Sequence, residues 1–343
     1  MENIQLSNFQ ARLLQRIQES VPLSSHPWDT IANELSVRPS EVRSEILSLR
    51  QAGVIREISS IFSVSAFGYS QSLVAFSLQA DQLDQAGKIV ALHPGVSHCY
   101  SRDDENYNLW FTLAVSPASK LGLEKSVALL AEKSGAQKHI ILPTEKQFKL
   151  AVRFNFAESK SSSPAHASRP VHGIADYTSL NFSVIRALQK DLPDCERPFE
   201  KLALEFGTTP DEIFRVAAEL KAVGALRRYA AVMHHRAAGA NANVMVVWQL
   251  KPETVDIAGV RAAKNSAVSH CYTRPTYADW PYNLYTMIHG SDTSACLQTV
   301  DEIARTISKP AHKLLWTVAE YKKARVKIFT PDEENWERAN TKK

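Results

Sequence analysis

The sequence predicts an α+β protein of two fused units, each a winged helix-turn-helix followed by a ferredoxin-like domain. The motif SHCYSR at residues 97–102 returns 172 positions later as SHCYTR at residues 269–274, and Tyr-Asn-Leu follows each copy. The predicted helices and strands also come in the same order in both halves of the chain. A repeat this long indicates that two related units were fused, and we expect them to form an internal pseudo-dimer.

Each half begins with three predicted helices, of which the second and third form the helix-turn-helix. Pro39 stands where the third helix would begin, and Gly53 and Gly224 would end the third helix of each half. Two-stranded wings are expected next, through residues 55–58 and 226–229. The helices are predicted at residues 8–20, 28–35 and 39–51, and at residues 180–191, 198–206 and 210–222.

After each wing the pattern becomes strand, helix, strand, strand, helix, strand, which is the order of a ferredoxin-like domain. In the first half the strands are predicted at residues 72–78, 96–102, 107–115 and 139–143, and the helices at 82–92 and 120–133. In the second half the strands are predicted at residues 243–250, 268–274, 282–289 and 312–317, and the helices at 255–264 and 293–307.

These patterns define the predicted domain boundaries. The segment between the halves is rich in Ser, Ala and Pro, which is typical of a flexible linker. The helix-turn-helix domains are predicted at residues 1–65 and 176–238, the ferredoxin-like domains at 66–156 and 239–330, the linker at 157–175, and a polar, fraying tail at 331–343.

Composition indicates an ordinary globular protein of a reducing compartment. Hydrophobic residues make up 44% of the 343 residues and charged residues 22%, with no apolar run near the roughly 20 residues of a membrane span. No secretory signal is visible at the start. The cysteines form no CxxC pair, which favours the cytoplasm and argues against a thiolate metal cluster; they are Cys99, Cys195, Cys271 and Cys296. The net charge of +4 permits an anionic partner.

The repeated motif carries more chemistry than a strand needs for folding. Residues two apart on a strand point to the same face, so each motif should present a histidine, a tyrosine and an arginine together, while its cysteine points the opposite way. The two sets are His98, Tyr100 and Arg102, and His270, Tyr272 and Arg274. Two such faces predict a site for an anionic ligand.

The chain resembles the Lrp/AsnC family, whose plan is a winged helix-turn-helix followed by a βαββαβ ligand-sensing domain. Residues 53–55 (GVI) before the wing, and Gly68 before the first sheet strand, are similar to that family. A narrower resemblance, to the siroheme decarboxylases of heme d1 and alternative heme biosynthesis, lies in residues 227–229 (RRY), residues 234–236 (HHR) with Gly239, and the two HCYxR segments. In that family two homologous subunits pair, or occur fused.

The resemblance implies a carboxy-lyase that removes two acetate carboxyl groups from siroheme without oxidation, giving 12,18-didecarboxysiroheme and CO₂. Siroheme is a polyanionic iron tetrapyrrole, so arginines would clamp its carboxylates and a histidine would protonate carbon. The macrocycle is itself the electron sink, so no cofactor is expected and the iron is that of the substrate. Other enzymes of heme d1 biosynthesis are candidate partners, and no membrane partner is expected.

Site residues follow from the two motifs and from the basic segment at residues 227–236. We expect a catalytic role for His234, His235 and Arg236, and either of these histidines could ligate the substrate iron. Substrate binding is assigned to Arg227, Arg228, Tyr229, His270, Tyr272, Arg274, His98, Tyr100 and Arg102.

The halves have diverged, which predicts one productive site dominated by second-half residues, where the two sheets meet. In the first half Glu57, Ile58, Ser63, Val64 and Ser65 stand in place of Arg228, Tyr229, His234, His235 and Arg236. The first half also carries three clustered carboxylates at residues 103–105 (DDE), which would repel a polyanion.

Two other functions remain open from the sequence alone. A DNA-binding regulator needs a cationic recognition helix, but the candidates at residues 39–50 and 210–221 are close to neutral or acidic, which disfavours duplex DNA. A heme-binding sensor without catalysis would use the same binding residues as the enzyme. Conversion of siroheme separates the enzyme from both.

Overall fold

The computed structural model describes residues 6–150, 181–233 and 242–341, which divide into two compact units. The helix-turn-helix unit holds the described residues of Met1–Gly68 and Arg153–Gly239, and the sheet unit holds those of Tyr69–Val152 and Ala240–Lys343. Domains of the same type from the two halves are therefore grouped together. This grouping agrees with an internal pseudo-dimer.

The described elements follow the predicted order closely. The first half contains α1 (Asn8–Glu19), α2 (Pro27–Leu35), α3 (Pro39–Gln51), β1 (Ile55–Phe62), a 3-10 turn (Val64–Phe67), β2 (Ser70–Ser77), α4 (Leu83–Ala91), β3 (Val96–Arg102), β4 (Leu109–Val115), α5 (Gly122–Ser134), β5 (Lys138–Pro143) and β6 (Lys146–Leu150). The second half contains α6 (Phe182–Gln189), α7 (Pro198–Phe206), α8 (Pro210–Ala222), β7 (Leu226–Met233), β8 (Ala242–Trp248), α9 (Val255–Ala263), β9 (Val268–Thr273), β10 (Leu284–Gly290), α10 (Thr293–Thr306), β11 (His312–Lys323) and α11 (Asp332–Thr341).

Local signals explain why the helix-turn-helix helices were predicted so well. A proline opens α2, α3, α7 and α8, where its missing N–H is not needed. Ser7 and Gln10 form a capping box at α1, and Thr209 accepts a hydrogen bond from the backbone of Glu212 at the start of α8. The ends of α3, α7 and α8 match the prediction residue for residue.

The expectation of a separate two-stranded wing in each half is wrong for the described residues. Strand β1 pairs antiparallel with β7 of the other half, with Ile58 opposite Ala231. Each half supplies one strand, and its backbone groups are satisfied by the equivalent strand of the other half. Arg50 reinforces this pairing because it binds the Asp191 carboxylate at 2.5 Å, and Asp191 also accepts a hydrogen bond from the Ile58 backbone at 2.7 Å.

The sheet unit is held together by strands that the two halves exchange. Strand order is β5-β2-β4-β3-β11-β8-β10-β9-β6. The first part of β11 pairs with β8 of its own half, and the later part pairs with β3 of the first half. Strand β6 of the first half pairs in return with β9 of the second. The sequence prediction missed β6 and ended β11 at Thr317, because the pairing partners of these segments lie in the other half.

Two glycines allow the exchanged strands to lie close to the helices. A Cβ atom on Gly87 of α4 would lie 2.4 Å from the ring of Tyr321 on β11, and one on Gly259 of α9 would lie 2.4 Å from the ring of Phe148 on β6. Neither distance is tolerable for real carbon atoms. Glycine is therefore required at both positions so that the exchanged strand can pack against the helix.

The described residues of the sheet unit form three apolar cores. One lies in each half, around Val74 and Phe111 in the first and around Val246 and Trp248 in the second. The third is shared by both halves and rich in aromatic side chains; its buried members are Ala75, Tyr107, Trp110, Ile140, Leu142, Met245, Val247, Trp280, Tyr285 and Leu315.

The predicted polar tail is instead largely helical, as α11. Trp336 packs on the buried ring of His93 with the ring centroids 4.1 Å apart, and burial lowers the pKa of His93 to about 4. Glu337 is 6% exposed, and it accepts hydrogen bonds from the Ser119 hydroxyl and the Lys120 backbone. The polar composition of the tail suggested fraying, but the Glu337 carboxylate has specific hydrogen-bond partners on the first-half domain.

Over the described ranges, no helix combines the length and apolar character that crossing a membrane requires.

We predict that Gly259→Ala lowers the free energy of unfolding by about 1–3 kcal/mol, the usual cost of overpacking a core. The added methyl group would collide with Phe148 and loosen β6. Urea denaturation of the full chain measures the change. In a Phe148→Ala background the same substitution should cost much less, because the clash has been removed. An equal cost in both backgrounds would contradict the proposed close approach.

Candidate active site

A β-bulge precedes the histidine of each repeated motif. In β3 the register against β4 shifts between Val96 and His98, which leaves Ser97 as the extra residue. In β9 the register against β10 places His270 opposite Met287 and Val268 opposite Ile288, which leaves Ser269 as the extra residue. Bulges redirect side chains and are common beside active sites. Here each bulge lets a serine hydrogen-bond to the histidine that follows it.

The predicted His-Tyr-Arg faces are present in both halves. In the first half the rings of His98 and Tyr100 lie 6.2 Å apart, and the Arg102 guanidinium lies 5.6 Å from the Tyr100 ring centroid. In the second half the corresponding distances are 6.0 Å between His270 and Tyr272 and 5.3 Å from Arg274 to Tyr272.

The motif cysteines point the other way, as expected. Cys99 and Cys271 are fully buried in the cores of their own halves, near the carbonyls of Gly87 and Gly259. Burial raises the pKa of each thiol to about 12. These cysteines are structural residues.

Arg102 is buried and Arg274 is partly buried, and both reach across to the other half. Arg102 donates to the Leu315 carbonyl at 2.7 Å, and Arg274 donates to the Leu142 carbonyl. The Nε atom of each has no hydrogen-bond partner, and neither guanidinium pairs with a carboxylate, within the residues that the structure describes. Burial lowers the pKa of Arg102 to about 10, so it stays charged at neutral pH. Each face therefore ends in a positive charge, fully buried in the first half and partly buried in the second, which favours an anionic ligand.

His289 is a site residue that the sequence prediction missed. The Ser269 hydroxyl lies 2.8 Å from His270 Nδ1, 2.9 Å from His289 Nε2 and 3.3 Å from the Met287 carbonyl. In the first half Ser97 lies 3.0 Å from His98 Nδ1, but Ala114 occupies the position on β4 that corresponds to His289 on β10. Aligning these two strands could have revealed the difference.

Two of the carboxylates at residues 103–105 have structural partners in the second half. Asp104 is an almost fully buried side chain that forms an ion pair with Lys313, and Asp103 accepts a hydrogen bond from the Trp316 backbone at 2.6 Å. Two of the three charges are therefore used in joining the halves. Among these three residues Asp104 alone is paired with a cation, while Asp103 and Glu105 are exposed, so the repulsion of a polyanion by this cluster stays a prediction.

The loop at residues 275–281 also has a structural role. Trp280 is fully buried in the shared core, where its indole donates to the Tyr285 hydroxyl at 2.8 Å, and Tyr277 hydrogen-bonds to the Ile141 backbone. Aromatic side chains thus fill the core that the two halves share. The expected site between the halves stays a prediction.

The structure places the described basic segment in the helix-turn-helix unit. Arg227 donates to the Ser63 hydroxyl at 3.4 Å, and Arg228 donates to the Gln18 carbonyl at 3.2 Å. Tyr229 is 2% exposed and packs on Phe199 with ring centroids 5.5 Å apart, and burial raises its pKa. Tyr229 therefore has the surroundings of a core residue, and substrate contact by it stays a prediction.

The predicted catalytic residues His234, His235 and Arg236 lie outside the described residues. Among the residues that are described, no three His, Cys, Asp or Glu side chains gather into a possible metal site.

Comparison with known proteins covers both kinds of domain. The family model for the AsnC-like ligand binding domain matches residues 66–149 and 237–322. The family model for the siroheme decarboxylase NirDL-like HTH domain matches residues 10–56 and 183–227. Each model matches once in each half, in agreement with the duplication.

Similar proteins extend the match to nearly the whole chain. The siroheme decarboxylase of Hydrogenobacter thermophilus is 32% identical over 328 residues, which cover 95% of this chain and 96% of that protein. The siroheme decarboxylase beta subunit of Desulfovibrio desulfuricans is 41% identical over 149 residues, which cover 43% of this chain and 94% of the subunit. The crystal structure of the siroheme decarboxylase NirDL matches with a TM-score of 0.75 and 28% identity over 97% of this chain and 98% of that one. The same values apply to NirDL in co-complex with an iron-uroporphyrin III analogue.

Proposed function

Because the chain belongs to the siroheme decarboxylase family of Lrp/AsnC-like proteins, we propose that it decarboxylates siroheme. The products are 12,18-didecarboxysiroheme and CO₂, formed by non-oxidative loss of two acetate carboxyl groups in heme d1 or alternative heme biosynthesis. The observation that carries the proposal is the match along almost the entire chain to a siroheme decarboxylase. A similar NirDL structure holds an iron-uroporphyrin III analogue, which is a related polyanionic macrocycle.

The charges of the described site suit this substrate. Arg102 is a buried cation and Arg274 a partly buried one. Neither has a carboxylate partner in the described residues, and each lies against a motif tyrosine. A guanidinium in such a place attracts carboxylates strongly, because little water screens its charge. Tyr100 and Tyr272 provide aromatic surface beside the charge, as a flat macrocycle requires.

The reaction needs a proton more than it needs a cofactor. When the bond from the methylene carbon to the carboxylate breaks, CO₂ leaves and the electron pair stays on carbon, where the macrocycle can delocalise it. One proton must then reach that carbon for each carboxylate lost, and a histidine is suited to deliver it near neutral pH. The proposal includes no cofactor, since the iron belongs to the substrate.

The second half is proposed to hold the productive site. His289 bonds to Ser269 there, whereas the first half has Ala114 at the corresponding position. His234, His235 and Arg236 are retained as catalytic candidates, and the histidines as candidate ligands of the substrate iron. Arg227 and Arg228 are retained as substrate-binding candidates.

The fused pair of units is proposed to act as one internal pseudo-dimer. The beta subunit of Desulfovibrio desulfuricans, which spans less than half of this chain, is a separate protein. Here both units are supplied by one polypeptide, and their sheet domains exchange strands.

Ion pairs within the helices weigh against a DNA-binding regulator. Arg215 of α8 is bound at 2.7 Å by Glu212 and at 2.5 Å by Glu219, and Arg38 at the start of α3 is bound by Glu41 at 3.3 Å. Cations neutralised on their own helix gain less from DNA phosphates, since those contacts must first be given up.

Anaerobic incubation of the full chain with siroheme tests the proposed function. We expect two successive mass losses, each corresponding to CO₂, without added cofactor. Heat-denatured protein serves as the control. Recovery of unchanged siroheme that is nevertheless bound, as judged by its visible spectrum, would indicate a sensor and contradict the proposal.

Replacing His234 or His235 with Ala should slow single-turnover conversion by about 10²-fold or more, the usual effect of losing a general acid. Replacing Arg228 or Arg236 should mainly weaken siroheme binding, by about 1.5–3 kcal/mol. Visible spectra of bound siroheme separate the two effects. Near wild-type rates in both histidine variants, with an inactive His98→Ala variant, would place the active site in the first half.

A further inference from the structure

Two apolar side chains stand beside the motif histidine of the second half. Strand β6 places Leu150 directly opposite His270, and β10 places Met287 opposite the same histidine from the other side. Residues directly opposite each other on antiparallel strands share a face, with their Cβ atoms about 4.5–5.5 Å apart. Leu150 and Met287 therefore lie on the His-Tyr-Arg face of the second half, and we call them the apolar pair.

The apolar pair keeps surface that the cores do not bury. Leu150 is 38% exposed, and Met287 is partly exposed at the margin of the shared core. The two residues before Leu150 face the helix layer instead, because Phe148 packs on α9 and Lys149 donates to the Asn265 carbonyl just beyond its end at 2.7 Å. Burial therefore does not account for an apolar residue at position 150.

The first half has polar residues at both equivalent positions. Lys323 on β11 stands opposite His98 where β6 has its leucine, and Thr112 on β4 stands opposite His98 where β10 has its methionine. The strands pair in the same way in the two halves. If this pairing needed two large apolar residues for folding, both halves would need them, so folding alone does not explain the apolar pair.

A carboxylate adds to the difference between the two faces. Glu320 on β11 is exposed and stands opposite Tyr100, whereas β6 has the neutral Gln147 opposite Tyr272. A carboxylate at this position repels the carboxylates of a polyanion, and an amide does not. The face of the second half therefore combines apolar surface, neutral neighbours and the positive charge of Arg274.

We propose that Leu150 and Met287 bind the macrocycle of siroheme and determine that the second half holds the ring. The inference rests on the proposed function, which supplies siroheme as the ligand. The macrocycle is flat and apolar and carries its carboxylates at the periphery, so it needs apolar surface within reach of a cation. Arg274 follows His270 by four residues on the same face, about 13 Å along the strand. The ring and one acid arm can span that distance, and a flexible methionine adapts to the ring surface.

Anaerobic titration of the full chain with siroheme, followed by its visible spectrum, tests the apolar pair. Leu150→Gln and Met287→Gln should each raise the dissociation constant by about 5- to 20-fold, because the exposed part of one apolar side chain no longer meets the ring. Leu150→Met and Met287→Leu keep the volume and the apolar character, so they should stay within about twofold of the wild type.

Two matched variants serve as controls. Thr112→Gln makes the change at the first-half position that corresponds to Met287. Leu204→Gln removes a leucine of α7 that is 85% exposed in the helix-turn-helix unit. Both dissociation constants should stay within about twofold of the wild type, as is usual for a surface substitution away from a ligand.

Salt separates loss of apolar contact from a displaced arginine. Added salt screens the attraction between Arg274 and a carboxylate, but it hardly changes an apolar contact. The two Gln variants should therefore lose the same factor in affinity at low and at high salt, whereas the factor lost by Arg274→Met should shrink as salt is added. A factor that shrinks in the Gln variants would show that they act through the arginine, and it would overturn the inference.

The remaining outcomes distinguish the inference from the proposed function. Wild-type dissociation constants in both Gln variants, or an equal loss in Leu150→Met or Thr112→Gln, overturn the role of the apolar pair and leave the decarboxylase function standing. If the constants change as expected but wild-type protein leaves bound siroheme unaltered, the decarboxylase function fails and the binding role stands. Failure of wild-type protein to bind siroheme overturns both.

Discussion

The exchange of strands β6 and β11 between the two halves is the constraint on which the sheet unit depends. Each exchanged strand brings an aromatic ring against a helix of the opposite half, and only glycine at positions 87 and 259 leaves room for it. The exchange also brings Leu315 to Arg102, while Leu142 on β5 lies against Arg274. A duplicated sequence thereby becomes one interlocked unit, in which each motif arginine donates to a backbone carbonyl of the other half.

Those two arginines give the site its positive charge. A guanidinium that donates to a backbone carbonyl keeps its full positive charge, whereas one paired with a carboxylate is neutralised. Burying such a charge costs desolvation free energy, which lowers the stability of the fold, and an anionic ligand would offset part of that free energy. At the other end of each face, a bulge brings a serine to the histidine. The arginine ends are alike in the two halves, and the histidine ends differ, as in His289 against Ala114.

The sequence predicted those elements whose signals lie within the element itself or beside it in the chain. Helices α3, α7 and α8 were predicted to the residue because Pro39, Pro198 and Pro210 mark their starts. The sequence did not predict the β1–β7 pairing, β6 or α11. These elements depend on partners far away in the chain, such as Asp191 for β1 and Ser119 for α11. The His-Tyr-Arg faces were predictable from the two-residue period of a strand. His289 was not, because it reaches the motif across strands, and the roles of His234 and His235 stay predictions.

The stoichiometry of siroheme binding tests the central claim most directly, namely that a duplicated fold holds one productive site. Anaerobic titration of the full chain, followed by the visible spectrum of siroheme, measures it. The asymmetry at His289 predicts one tightly bound siroheme per chain, and Arg274→Met should weaken this binding more than Arg102→Met. Two equivalent sites per chain, weakened equally by the two substitutions, would contradict the account.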